Sequence, residues 1–253
     1  MNIAVPVRQV PDTGQPLKIT DNTSSIDESR VKWILGPYDE FALEEALKLK
    51  PLLGGKIFTL SLGPERVKET LLHTLALGAD EAIHINIEKE VRDPLTCAKI
   101  LSEHLGKIPD LSLVFCGKLA VDTNDFAVPQ MLARLLDFPF VTNVNSLEFK
   151  EGNFHLTREC GGGVEELLKA SPPLVLSADK GLNQPRYPSL QGIMKAKKKP
   201  LQTVSSTQVQ DTVPRYLNLS SPGEKPPPEM ISGSPEEQIK KLIDFLKEKE
   251  KLL

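Results

Sequence analysis

From Lys56 to Leu136 the chain switches regularly between short β-rich runs and helical stretches, and this alternation restricts its fold more than any other feature. "KIFTLSL" (56 to 62) is β-rich. Pro64, just after Gly63, suits the first turn of a helix running to Leu77, with Gly78 as its C′ residue. Glu81 to Ile87 reads as the next strand, Asp93 and Pro94 as N-cap and first residue of a helix to Leu105. Leu111 to Cys116 is another strand, and a helix follows around Gln130 to Leu136. Upstream, Ile3 to Val7 is an apolar run. Phe41 to Lys50 then carries Leu43, Ala46 and Leu47 at helical spacing before a stop at Gly54-Gly55. A helix between two strands returns the chain to the end it started from, so the strands it joins run parallel. The expectation is an α/β fold, a doubly wound and mostly parallel sheet covered by helices on both faces.

The pattern changes after Asp137. Val141 to Phe149 and Phe154 to Cys160 flank "KEGN", a hairpin signal, and "PLVLSA" (173 to 178) is a further strand, which together suggest an antiparallel extension to the sheet. From Leu201 to Gly233 there is no periodicity, and "SSPGEKPPPEM" (220 to 230) is too polar and proline-rich to fold alone. Ser234 and Glu237 then form a capping box around Pro235, and Ile239, Leu242, Ile243 and Leu246 make a narrow apolar stripe on a charged helix. The chain thus divides into an α/β domain, 1–200, and a C-terminal arm and helix, 201–253.

Functional signals are sparse. The Gly-x-Gly-x-x-Gly fingerprint and the Walker loop are both missing. In an open parallel sheet, ligands bind beyond the carboxyl ends of the strands near the switch point. Here those ends carry "RQVPD" (8 to 12), "LGPE" (62 to 65) and "GKLAVDTND" (117 to 125). Gly63 and Gly117 either let backbone N–H groups approach an anion at a following helix start or only make tight turns. His73, His84, His104 and His155 stand singly, and no cysteine or histidine pair has metal-ligand spacing, so no metal is expected. Cys97, Cys116 and Cys160 are odd in number and far apart, which argues against a disulfide framework; they read as small buried hydrophobes. Asp39-Glu40 and Glu44-Glu45 read as an acid-rich helix start and a solvated face. No apolar run approaches the roughly 20 residues of a membrane span. Met1 to Val5 runs straight into a strand with no leader pattern, so a cytoplasmic protein is expected.

The net charge of −3 contrasts with "LNQPRYPSLQGIMKAKKKP" (182 to 200), which has one arginine, four lysines and no acid. Few aromatics interleave with its lysines and the chain as a whole is acidic, so nucleic acid is a poor fit. Pro185, Tyr187 and Pro188 stiffen the segment ahead of an apolar residue, Leu190, and a basic helix start, as a preorganised docking loop would require.

That stretch, with "VRQVPDT" (7 to 13), "GPYDEFALEEALKLK" (36 to 50), "LSLGPERVKETLLHTLALGADEAIHI" (60 to 85), "GKLAVD" (117 to 122) and "TRECGGGVE" (157 to 165), occurs in one order that resembles the β subunit of electron transfer flavoproteins over nearly the full length. The resemblance implies an adenine nucleotide α-hydrolase-like sheet. It also implies a non-enzymatic carrier that passes electrons between flavoprotein dehydrogenases, such as acyl-CoA dehydrogenases, and an acceptor. An α subunit would hold most of the redox-active FAD, with Thr13 and Tyr38 facing that flavin. Glu159 would pair with the moving flavin domain. Pro185, Arg186, Tyr187, Leu190 and Met194 would form the dehydrogenase-docking loop. A second nucleotide, AMP or, in electron-bifurcating members, a second FAD, would sit among Pro6, Gly36, Leu62, Gly63, Gly117, Asp122, Asp125, Phe126, Ala127 and Val128.

This chain departs from the resembling family in the phosphate loop. Where members carry a stretch like Asp-Gly-Asp-Asn-Gly-Gln-Val-Gly, it reads Asp122-Thr123-Asn124-Asp125-Phe126-Ala127-Val128-Pro129, and Pro129 removes a backbone donor. Gly36 stands where an asparagine is usual, and Gln184 replaces the acid before Pro185. The residues leave open AMP, a second FAD or neither. They also leave open a flavin-free alternative, a nucleotide-sensing, universal-stress-like homodimer on the same sheet.

Overall fold

The computed structural model describes residues 1–20, 25–88, 91–206, 218–221 and 227–248. Along the chain run β1 (Asn2–Pro6), β2 (Gln9–Pro11), β3 (Trp33–Leu35), α1 (Pro37–Leu53), β4 (Ile57–Gly63), α2 (Val67–Leu77), β5 (Glu81–Asn86), α3 (Pro94–Leu105) and β6 (Leu111–Gly117). There follow α4 (Val128–Leu136), β7 (Phe140–Lys150), β8 (Asn153–Glu159), β9 (Glu165–Ala170), β10 (Leu174–Ala178), α5 (Leu190–Ala196), β11 (Leu201–Ser205) and α6 (Pro235–Glu248).

Nine strands make one sheet in the order β11-β5-β4-β1-β6-β10-β7-β8-β9, parallel from β11 to β7 and antiparallel across β7, β8 and β9. The first crossovers move outward from β1 to β4 to β5; α3 then carries the chain back to β6 on the other side of β1. The switch point therefore lies between β1 and β6. Both faces are covered, which is why strands such as "IAVP" and "LVL" are apolar without alternation. Ile3, Val5, Leu113 and Phe115 point into one core with Leu43, Ala46, Leu71 and Leu75 of α1 and α2. Ala4, Phe58, Leu60 and Val114 point into the other with Ala98, Leu101 and Leu105 of α3 and Leu132 of α4.

Local signals place the helix ends. Asp93 accepts from the Thr96 amide at 2.7 Å as the α3 cap. The hairpin between β7 and β8 turns on Glu151 (φ 51°) and Gly152 (φ 75°), the pair of left-handed residues a two-residue turn needs. The capping box closes, with the Ser234 amide donating to Glu237 Oε2 at 3.0 Å.

Three features differ from the sequence reading. The strand from 173 to 178 belongs to no antiparallel extension: as β10 it is inserted between β6 and β7, parallel to both. Leu201–Ser205, which the sequence places in the arm, forms β11 and pairs with β5. The small antiparallel pair β2 and β3 has no sequence signal, being three residues a strand. Much of the arm, 207–217 and 222–226, lies outside the described residues.

Candidate functional site

Two regions gather the residues singled out above. The first is the crevice at the carboxyl ends of β1, β4 and β6. Pro6, Leu62, Gly117, Asp125 and Val128 line it together with Arg8, Asp39, Arg92, Cys116 and Pro129. Its cavity is about 90 Å³, well under the roughly 300 Å³ at which small-molecule pockets begin.

What fills the space is the chain itself. Gly36 donates its amide to Arg8 O at 2.8 Å, tying the start of α1 to the end of β1. That brings Asp39, in the first turn of α1, between the central strands: its Oδ2 accepts from the Arg8 amide at 2.8 Å and its Oδ1 from the Gly117 amide at 3.2 Å. Burial pushes the Asp39 carboxyl up to about 7, against the pull of those two amides. The same burial raises the neighbouring Cys116 thiol. Across the mouth, the Arg8 guanidinium holds Asp122 with Nη2 at 2.7 Å and Nε at 2.9 Å from Oδ2, and donates to Val91 O at 3.3 Å.

The glycines are explained by the same packing. A Cβ on Gly117 would stand 2.8 Å from the Asp39 backbone nitrogen, and one on Gly63 (φ 155°) 2.7 Å from Val67 Cγ2. Each allows a close approach of this chain to itself. Phe126 is turned outward and exposed, with Lys118 Nζ 5.9 Å from its ring, and Ala127 precedes α4. Of the flavin-facing candidates, Tyr38 is half-buried beside Lys118 Nζ, 5.1 Å from its ring, and Thr13 is exposed beyond β2. Neither lines the crevice. Arg66 stacks on Trp33 at 3.4 Å and fixes the β2–β3 ribbon that leads to Thr13.

The second region is the loop from Asn183 to Met194. Its polar residues reach inward: Arg186 Nε and Nη2 donate to the two oxygens of Glu44 at 2.7 and 2.8 Å, and Asn183 Nδ2 donates to Phe41 O at 2.9 Å and Glu45 Oε2 at 3.0 Å. Burial would raise the Glu44 carboxyl, but the Arg186 bonds outweigh it and hold the group below the usual carboxylate range. Glu44 and Glu45 are thus buried anchors, not the solvated face their sequence suggests. Only their pairing with residues some 140 positions away reveals this. Ser189 caps α5 by accepting from the Gly192 amide at 3.0 Å. The apolar residues point outward instead: Tyr187 is 94% exposed, Leu190 83% and Met194 72%. Pro185, Arg186 and Tyr187 also border a groove of about 610 Å³ between α1 and α2.

Two further corrections concern single residues. Lys199 leaves the basic face, since its Nζ donates to Leu75 O at 2.9 Å and Ala79 O at 2.5 Å near the end of α2. Cys160 is exposed rather than buried, next to Glu159 at the open end of β8. Among the described residues no cluster of histidine, cysteine or carboxylate side chains could hold a metal ion, and no helix is long and apolar enough to cross a membrane.

The chain is thus a doubly wound sheet with an antiparallel wing, its switch point packed by its own side chains and a loop with apolar tips held out beside it. The electron transfer flavoprotein domain family matches residues 23–209. The electron transfer flavoprotein subunit beta of Bacillus subtilis is 35% identical over 261 residues, covering 100% of both chains. That of Homo sapiens is 32% identical over 98% of this chain and 97% of its own. The mitochondrial one of Arabidopsis thaliana is 34% identical over 98% of each. The chain belongs to the electron transfer flavoprotein family, as a β subunit that carries electrons and is not itself an enzyme.

Proposed function

We propose that this chain pairs with an electron transfer flavoprotein α subunit, lines one side of the FAD held mainly by that subunit, and docks flavoprotein dehydrogenases through the loop from Asn183 to Met194. The observation that carries the docking role is the division of labour within the loop. Buried Glu44 and Glu45 fix its stem, so Tyr187, Leu190 and Met194 stay exposed without freedom to fold back. A fixed loop loses little entropy on docking. Thr13 and Tyr38 are the flavin-facing residues in this reading, and Glu159 is the acid that meets the flavin-bearing domain. The arm and α6 wrap the α subunit, which suits the exposure of Ile239, Leu242 and Ile243 along α6. A second nucleotide, AMP or FAD, is disfavoured by the size of the crevice, and with it an electron-bifurcating role.

One coexpression experiment tests both contacts. Leu190→Ala should leave the heterodimer and its flavin intact and weaken dehydrogenase docking by about 1–3 kcal/mol, the worth of a buried aliphatic side chain. Removal of 220–253 should instead weaken copurification with the α subunit. An unchanged electron-transfer rate with every dehydrogenase tried would show that Leu190 is not the docking residue. Unchanged copurification would remove the arm from the subunit interface.

A further inference from the structure

We infer that in this chain the anion position at the switch point is filled by the protein's own Asp39 carboxylate, so that the crevice takes neither AMP nor a second FAD. The family is the reason to expect a nucleotide there; the exclusion stands on the geometry of this chain.

A phosphate at the end of a parallel sheet is held by backbone amides that open onto the switch point, by cations and by a glycine-lined approach. The two strand-end amides, the Arg8 guanidinium and Lys118 are already in use. The amides of Arg8 and Gly117, at the ends of the two strands flanking the switch point, both donate to Asp39. The Arg8 guanidinium is engaged by Asp122 and Val91 O. Lys118, the next cation along β6, is paired with Asp179 at 2.6 Å. The glycines leave no opening, because a methyl at Gly36 or Gly117 would meet Asp39 oxygens at 2.5 Å.

Apart from Arg92 and Thr123, the remaining wall offers a phosphate little. Val128 and Pro129 present apolar surface, and Pro129 has no amide hydrogen to offer. Asp39, Asp122 and Asp125 place three carboxylates in or beside a cavity of about 90 Å³. A phosphate entering it would lose its water beside Asp125 and an Asp39 carboxyl already held by two amides.

Nucleotide content decides the matter. The chain is coexpressed with its α subunit, purified without added nucleotide, and its acid-released nucleotides are separated and quantified. One FAD and no AMP per heterodimer is the expected result; one AMP, or two FAD, overturns the inference. A heterodimer with no FAD at all would sink the electron-carrier proposal, and the crevice is then judged by thermal unfolding of the full chain with millimolar AMP or orthophosphate. An unchanged Tm supports closure, whereas a concentration-dependent rise, the mark of a ligand bound to the folded state, overturns it. Asp39→Ser supplies the converse. With the internal anion removed, orthophosphate should raise the variant's Tm above its value in chloride of equal ionic strength. A variant as indifferent to phosphate as the wild type would show that Asp39 does not occupy an anion position.

Discussion

The crevice at the switch point and the loop from Asn183 to Met194 use the same kinds of residue in opposite ways. In the crevice, polar groups converge and satisfy one another: two amides and three guanidinium nitrogens find Asp39, Asp122 and a backbone carbonyl. In the loop, the Arg186–Glu44 pair is spent on the stem, and Tyr187, Leu190 and Met194 remain exposed at the surface. A family fold places potential sites at predictable positions, but the unspent interactions at those positions decide which are used.

The strongest test of this contrast is the pH dependence of stability. Asp39 titrates at about 7 in the folded chain against an ordinary 3.8, so between those values the folded state keeps a proton that the unfolded state releases. Stability therefore falls as pH rises through that window and levels off above 7. Measured as the difference between wild type and Asp39→Asn in urea unfolding, this should amount to a loss on the order of 4 kcal/mol. A pH-independent difference would mean that the two amides, rather than burial, dominate at Asp39.

Next in size is the loop stem. Arg186→Ala leaves the Glu44 carboxylate in its buried place without its partner, and the expected cost is about 2 kcal/mol of stability. The loop should also become susceptible to proteolysis between 183 and 194. If the variant is as stable and as resistant as the wild type, the loop is not held by its stem and the contrast with the crevice disappears.

The smallest effect separates the lysines. Lys199→Met removes two hydrogen bonds, to the last turn of α2 and to Ala79 just beyond it, and should lower stability by about 1 kcal/mol with no change in the salt dependence of electron transfer. Lys197→Gln with Lys198→Gln should do the reverse, leaving stability alone and flattening the salt dependence. Equal behaviour of the two variants would return Lys199 to the basic face.

The alternation of strand and helix, the Asp93 and Ser234 caps and the Glu151-Gly152 turn are legible in the residue order because each depends on neighbours within a few positions. The segment from Leu182 to Pro200 stands out in the residue order too, since prolines and an unusual run of charge are local properties. What the residue order could not show is pairing at a distance. A six-residue apolar run reads the same whether it joins a hairpin or, as β10 does, slips between β6 and β7. "Glu44-Glu45" looks like a solvated face until Arg186 and Asn183 are brought against it. Asp39 looks like a helix-start acid until β1 and β6 lie side by side and aim their amides at it. Whether a polar group is satisfied depends on partners that only tertiary packing supplies, and in this protein that decides which of two candidate sites stays open.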